Sequence, residues 1–103
     1  MKYYHACPED SFKKIMKDHK IRCGYDGCIY LCDDPIDSLK FMVLRFIPYV
    51  YVIGVELPES EVEESFDHNA KFFRCKAYYT TNNISSDKFT DILEYDMKEA
   101  FKE

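Results

Sequence analysis

The sequence predicts an α+β domain, because helix signals lie in its first half and strand signals gather in its second half. Candidate elements follow in the order strand, helix, strand, helix, strand, loop, strand, strand. The 103 residues fit a single domain, 1–103, since one hydrophobic core commonly serves about 100–150 residues. Hydrophobic residues make up 47% of the chain and aromatic residues 17%, which is enough for a core and excludes a disordered chain.

The first half of the chain begins with a strand and a helix. Residues 2–5 form a short strand candidate. The segment Pro8-Glu9-Asp10 predicts a helix start, because proline and acidic residues suit a first helical turn. Residues at helical spacing predict the inward face of this helix, which runs through about Lys17: Phe12, Ile15 and Met16.

Turn signals and a second helix follow. Gly24 and the Asp26-Gly27 pair mark turns, and the apolar run 28–31 predicts a strand. Asp34 can cap a helix that opens at Pro35 and stops before Pro48. The expected apolar face of that helix is Leu39, Met42, Val43 and Phe46.

The second half of the chain is dominated by strands. Residues 49–57, YVYVIGVEL, are apolar almost throughout, which predicts a strand buried on both faces. Residues 58–67 are expected to form a loop with a short helical turn, and residues 71–80 a further strand. Asn82-Asn83 predicts a turn, residues 84–96 contain a final strand, and residues 97–103 form a helical tail.

Charge and hydropathy narrow the classes of function. A net charge of -5 disfavours binding to bulk nucleic acid. The acidic excess is local: Glu56, Glu59, Glu61, Glu63, Glu64 and Asp67. A small anionic ligand could bind the early chain, which is basic: Lys13, Lys14, Lys17, Lys20 and Arg22. Because no apolar run approaches the roughly 20 residues of a membrane helix and no secretion signal is evident, we expect a cytoplasmic protein that does not bind membranes.

The cysteine pattern argues against a disulfide framework and against zinc. The chain has five cysteines, an odd number, which suits a reducing compartment. The series Cys23-x4-Cys28-x3-Cys32 lacks paired CxxC motifs. If Cys28 and Cys32 share one face of a strand, they lie about 13 Å apart, too far to share a metal. We therefore expect small core thiols and no metal.

Few residues are left to carry chemistry, since the chain has no Gly-rich phosphate loop and no GxSxG, HExxH or CxxC motif. His5 directly precedes a helix start, so it either faces a ligand with the helix amides or is hydrogen-bonded at a strand end. Tyr30 is either a core residue or a functional one. Arg45 either joins a site or balances the helix dipole, and Asp67-His68 is typical of a loop-ordering pair. The residues alone leave the site open.

Two segments together resemble the front half of an ADP-ribosyltransferase-like domain: YYHAC at 3–7 and GCIYLCDDPIDSLKFM at 27–42. That superfamily includes diphtheria-toxin-type transferases, DarT-like DNA-modifying toxins and RNA 2′-phosphotransferases. Its members often begin with a "YHGT" strand, and a strand of the form G-x-Y-L/F-T/A-D follows the first helix. The segment YYTTNNISSDKFTDILEYD is similar to the family's closing portion. The resemblance implies a compact fold with two early helices packed on a mainly antiparallel split sheet.

The resemblance also implies a site and a cofactor. His5 falls on the family histidine, which binds the adenosine-side ribose of NAD, and Tyr30 falls on the tyrosine that stacks against nicotinamide. Both are therefore the expected catalytic residues, with NAD as a substrate. Cys7 stands where the family usually has threonine or serine. The expected NAD-binding set is His5, Ala6, Cys7, Tyr30 and Arg45.

One departure from the family pattern concerns its late-strand glutamate, which orients the acceptor. Residues 71–79 contain no carboxylate, and neither Glu56 nor Glu94 matches by motif; Asp67 would have to reach in from a loop. The first hypothesis is an enzyme that transfers ADP-ribose from NAD to an unknown macromolecule. The alternative is an inactive binding or inhibitor protein that docks a protein partner through residues 56–67.

A third hypothesis, RNA 2′-phosphate chemistry, ranks last because the chain has only three arginines: Arg22, Arg45 and Arg74. Small stand-alone domains of this kind are also associated with phages and mobile elements.

Overall fold

The computed structural model of the protein describes residues 1–39, 48–65 and 77–96. Eight strands lie in this part of the chain: β1 (Lys2–Pro8), β2 (Lys20–Ile21), β3 (Ile29–Cys32), β4 (Tyr49–Glu56), β5 (Glu63–Ser65), β6 (Ala77–Thr80), β7 (Ile84–Ser85) and β8 (Phe89–Asp96). Helix α1 (Glu9–Asp18) has ten residues, and α2 (Pro35–Ser38) is a single turn. Short 3₁₀ turns occupy Glu59–Glu61 and Ser86–Lys88.

The strands form a six-stranded sheet in the order β5-β6-β3-β1-β4-β8 and a two-stranded sheet of β2 and β7. Every pairing in both sheets is antiparallel. The predicted α+β class and the mainly antiparallel sheet are thus confirmed. Of the two expected early helices, one extends beyond a single turn within the described residues.

The two neighbours of β1 pair with it over very different lengths. Strand β4 pairs with it at seven positions, from Lys2 opposite Glu56 to Pro8 opposite Val50. Strand β3 pairs with it at one position, Tyr4 opposite Cys32, although β3 pairs with β6 along its whole length. The β1–β3 ladder therefore ends near the middle of β1, and the second half of β1 is left unpaired on that side.

Apolar side chains pack on both sides of the six-stranded sheet. Ile53 and Val55 of β4 join a core on the α1 side, and Val50 and Val52 join a second core that includes Leu39. Successive residues of a strand point to opposite faces, so a strand buried on both faces must be apolar at nearly every position. The prediction for residues 49–57 is confirmed.

Helix α1 lies against the first of these cores. The ring of Phe12 stacks on that of Tyr51, with centroids 4.1 Å apart and an interplanar angle of 7°, and Ile15 is buried. The prediction that Met16 also packs inward is wrong, because its side chain is 41% exposed. The stack fixes the rotation of α1, and this leaves Met16 at the edge of the buried face.

The helix boundaries follow the expected chemistry closely. Pro8 occupies the cap position, with extended backbone, and α1 starts one residue later than expected. Asp34 Oδ1 accepts a hydrogen bond of 2.8 Å from the Ile36 amide, so Asp34 caps α2 as predicted. The remaining residues of the expected second helix, 40–47, lie outside the described residues, as do residues 71–76 and the tail 97–103.

Three short strands were not expected from the sequence. Residues 58–67 were predicted to be a loop with a helical turn; the turn is present, but β5 follows it and pairs with β6. Strands β2 and β7 pair with each other, Lys20 opposite Ser85 and Ile21 opposite Ile84. This second sheet ties the chain after α1 to the segment before β8.

Candidate functional site

A cavity of about 430 Å³ lies beside the unpaired half of β1. Its size falls within the range of small-molecule sites, roughly 300–1,000 Å³. Its buried apolar wall is formed by Cys7, Ile15, Ile21 and Ile29. Its polar lining comes from α1 and the β2 corner: Ser11, Lys14, Asp18, Lys20 and Arg22. Of the expected set, His5, Ala6, Cys7 and Tyr30 line this cavity, and Arg45 lies outside the described residues.

His5 follows Tyr4, the residue of β1 that pairs with β3, and its side chain contacts β3. Its Nδ1 lies 3.1 Å from the backbone oxygen of Tyr30. A carbonyl oxygen only accepts hydrogen bonds, so Nδ1 carries the proton and donates it. Burial lowers the pKa of His5 below its ordinary value of 6.5, and the bond to Tyr30 offsets this in part. Near neutral pH the ring is therefore uncharged, and its Nε2 is a hydrogen-bond acceptor.

Tyr30 meets His5 through its backbone rather than through its ring. Its neighbours in β3, Ile29 and Leu31, belong to the core on the α1 side, so strand alternation directs the Tyr30 side chain toward the opposite side of the sheet. The side chain is 36% exposed, and its hydroxyl donates a hydrogen bond to a carboxylate oxygen of Asp26. This bond is the main reason that the pKa of Asp26 is lowered.

Cys7 lines the cavity as a thiol and not as a thiolate. Its side chain is buried, and burial raises its pKa to about 12. The expectation of core thiols holds for Cys7 and Cys32, which are buried, whereas Cys23 and Cys28 are half-buried. Cys75 lies outside the described residues.

Two of the polar residues that α1 contributes, Ser11 and Asp18, are not among the residues that the sequence singles out, whereas Lys14 belongs to the basic segment named above. Ser11, Lys14 and Asp18 occur at spacings that place them on one helix face, which is the face turned to the cavity. Asp18 Oδ2 accepts a hydrogen bond of 3.3 Å from Arg22 Nε, and the pair links α1 to the residue after β2. The sequence signal for this face is the helical spacing of Ser11, Lys14 and Asp18.

Glu56 and Glu94, which do not match the family glutamate by motif, do not line the cavity. Glu56 accepts a bond of 3.0 Å from the amino group of Met1, and Glu94 is exposed on β8 opposite Tyr51. Asp67 and His68 lie outside the described residues. Among the cavity residues that the structure describes, Asp18 is the carboxylate.

The described ranges contain neither a cluster of metal-binding side chains nor a helix that could cross a membrane. In residues 1–39, 48–65 and 77–96, no three His, Cys, Asp or Glu side chains gather closely enough to hold a metal ion. Within the same ranges, no helix has the length and apolar character needed to cross a membrane.

Comparison with known proteins gives a likeness in fold. No family model matches the chain, and no curated protein matches it. The crystal structure of protein CC0527 from Caulobacter crescentus is similar, with a TM-score of 0.66 and 10% sequence identity over 93% of this chain and 87% of that one. A double methionine mutant of CC0527 gives the same values. At this identity the likeness concerns the path of the backbone alone.

Proposed function

We propose that the protein binds NAD, or another nucleotide that contains ADP-ribose, in the cavity beside His5, and that it transfers ADP-ribose to a macromolecular acceptor. The observation that carries this proposal is the 3.1 Å contact of His5 Nδ1 with the Tyr30 carbonyl oxygen, which determines the tautomer of the His5 ring. Its Nδ1 is committed to the Tyr30 carbonyl, and its uncharged Nε2 is an acceptor at the end of the β1–β3 ladder. Ribose hydroxyl groups are donors of the kind that such an acceptor binds.

The surroundings of His5 support a nucleotide over a simple sugar. The wall formed by Cys7, Ile15 and Ile29 is apolar and suits the face of a base, while the rim contributes cationic side chains. The unpaired side of β1 also carries backbone N–H and C=O groups, which can bind the polar edge of a base or of a carboxamide.

The proposed reaction breaks the bond between C1′ of the ribose and the nicotinamide nitrogen. Nicotinamide leaves with the bonding electrons as a neutral molecule, the acceptor forms a new bond to C1′, and the acceptor proton passes to solvent. Positive charge develops on the ribose, so an arrangement that fixes the ribose hydroxyls and excludes water lowers the barrier. His5 would fix the hydroxyl, and Tyr30, through its carbonyl, would fix His5.

A thermal titration with NAD, ADP-ribose and nicotinamide tests the binding step. A ligand that binds only the folded state adds about RT ln(1 + [L]/Kd) to stability, so NAD and ADP-ribose should raise Tm. We expect His5→Ala to abolish the shift. The matched control is His19→Asn, which changes a histidine outside the cavity at a position with φ of 59° that asparagine tolerates. An equal shift in the native protein and in His5→Ala would disprove the site.

The transfer step needs its own measurement. Nicotinamide release from NAD in the presence of cell extract, followed by mass spectrometry of the extract, would identify a modified acceptor. Binding without nicotinamide release would leave a nucleotide-binding protein and remove the transferase assignment.

A second candidate function is a catalytically inactive protein that docks a basic partner. It is favoured by the exposure of Glu59, Glu61, Glu63 and Glu64 around β5, because these carboxylates face solvent on a single edge of the sheet. Such a complex would weaken with salt, since exposed charges are screened. Glu59→Gln combined with Glu61→Gln should then reduce partner capture, and unchanged capture would reject this function.

A further inference from the structure

Cationic side chains surround the opening of the cavity. Lys14 projects from α1, Lys20 is the first residue of β2, and Arg22 follows β2. The carboxylate facing them within the described lining is that of Asp18, so this rim has an excess of positive charge. The chain as a whole has a net charge of -5, and the rim therefore differs in sign from the rest of the molecule. A local field of this kind attracts an anion.

Two of the three rim cations have no carboxylate partner among the residues that the structure describes. Lys2 pairs with Asp91 at 2.7 Å and Lys13 pairs with Glu9 at 3.1 Å, whereas Lys14 and Lys20 form no ion pair with any residue that the structure describes. Arg22 is held by Asp18 through Nε alone. Since a guanidinium has further N–H donors, Arg22 can bind an anion while Asp18 fixes its orientation.

The β2 corner that carries two of these cations is held in place by the segment before β8. Lys20 pairs with Ser85, and the Cys23 amide donates to Asn83 Oδ1 over 3.0 Å. The Ser86 amide donates to the His19 carbonyl over 2.9 Å, at the end of α1. These hydrogen bonds hold the backbone of Lys20 and Arg22 in place. Less conformational freedom is therefore lost when a ligand binds.

We infer that this rim is a pyrophosphate subsite, so that the ligand enters with two linked phosphates against Lys14, Lys20 and Arg22 and with a nucleoside end toward His5. Cations supplied by two separate elements suit an anion whose charge is spread over two phosphates better than they suit a single carboxylate. The nucleoside end of this arrangement rests on the proposed function. The phosphate end rests on the rim alone.

The test compares two pairs of substitutions that remove the same charge. Lys14→Gln with Lys20→Gln neutralises the rim, and Lys13→Gln with Lys17→Gln neutralises two exposed lysines of α1 that do not line the cavity. Calorimetric titrations use sodium pyrophosphate, ADP-ribose and adenosine. We expect the rim pair to weaken pyrophosphate and ADP-ribose by about tenfold or more, and the control pair by no more than about twofold. Adenosine should bind both variants equally.

The outcomes separate this inference from the proposed function. Equal weakening by both pairs, no weakening by either, or no binding of pyrophosphate to the native protein would overturn the subsite. If pyrophosphate binds through the rim lysines but ADP-ribose gains no affinity over it, the subsite stands and the proposed nucleotide function fails. Loss of adenosine binding together with phosphate binding in the rim variant would show that the cavity had collapsed, and this too would overturn the inference.

Discussion

Gly54 lies directly beneath the carboxylate of Asp91 on the neighbouring strand. A Cβ at Gly54 would stand 2.6 Å from Asp91 Oδ1 and 2.8 Å from Thr90 Oγ1. The crowding arises because the β4–β8 register shifts after Gly54, so that Thr90 is the extra residue of a bulge. Asp91 Oδ1 also accepts bonds from Lys2 Nζ at 2.7 Å and from Thr90 Oγ1 at 2.5 Å.

Gly54→Ala is therefore expected to lower the free energy of unfolding by about 1 kcal/mol, because Asp91 must move away from its partners. The same substitution made in an Asp91→Ala background should cost less, since the nearest obstacle is gone. Urea unfolding of the four proteins of this cycle measures the difference. Equal costs in the two backgrounds would show that Asp91 is not the obstacle.

The stack of Phe12 on Tyr51 is expected to hold α1 against the sheet. Aromatic pairs contribute about 0.5–1.5 kcal/mol beyond the area that they bury. In a double-mutant cycle of Phe12→Leu and Tyr51→Leu, the coupling energy should fall in that range. Because α1 also carries Lys14, each single variant should weaken pyrophosphate binding without changing any rim cation. A coupling energy near zero would contradict this role for the stack.

His5 is expected to make the protein less stable as the pH falls. Its pKa is lowered in the folded state by burial, so the unfolded chain binds the proton first. Stability contributed by the neutral ring is complete above the ordinary pKa of 6.5 and is lost as the pH decreases from there toward the lowered value. His5→Gln should lose less stability than the native protein between pH 7.5 and 5.5 in urea titrations. Identical losses would mean that His5 is not held neutral.

The affinity for the ligand should also depend on the protonation of His5, because protonation of Nε2 removes the proposed acceptor for the ribose hydroxyl. The affinity of the native protein for ADP-ribose should fall in acid. The affinity of the His5→Gln variant for ADP-ribose should change little over the same pH range. Parallel calorimetric titrations of the two proteins measure this difference.

Cys7 is expected to resist alkylation in the folded protein. With a pKa of about 12 instead of 9.0, its thiolate is roughly a thousandfold rarer at pH 8. Brief treatment with iodoacetamide followed by peptide mass spectrometry should leave Cys7 unmodified, and the same treatment in urea should label it. Rapid labelling of Cys7 under native conditions would contradict its burial beside the cavity.

The long elements of the fold were predictable because their local signals agree with their environment. The strand 49–57 is apolar at nearly every position, and a strand covered on both faces requires this. Asp34 and Pro35 mark the start of α2 through a bond that spans two residues. In contrast, three strands have only two or three residues each: β2, β5 and β7. They are stabilised by pairing with residues far away in the sequence, so no local sequence pattern predicts them.

Of the candidate site, the sequence indicates some of the residues that line the cavity and not their geometry. His5 and Tyr30 were singled out by motif, and both line the cavity. Which atoms meet depends on where the β1–β3 ladder stops, and this is a property of the assembled sheet. The composition alone shows that the early segment is basic. That Lys14 and Lys20 face the cavity, while Lys13 and Lys17 do not, follows from the packing of α1 and β2.

The central position of β1 has a consequence during synthesis on the ribosome. Its main partner, β4, ends at Glu56, and β4 is completed on its other side by β8, which ends at Asp96. Strand β1 is thus made before either of its neighbours, and its main partner is complete only once Glu56 has been made. Contacts in the described residues are mostly between residues far apart in sequence, which is characteristic of domains that fold in milliseconds to seconds. In the interval the nascent β1 segment has no strand partner, and other chains or chaperones can bind it.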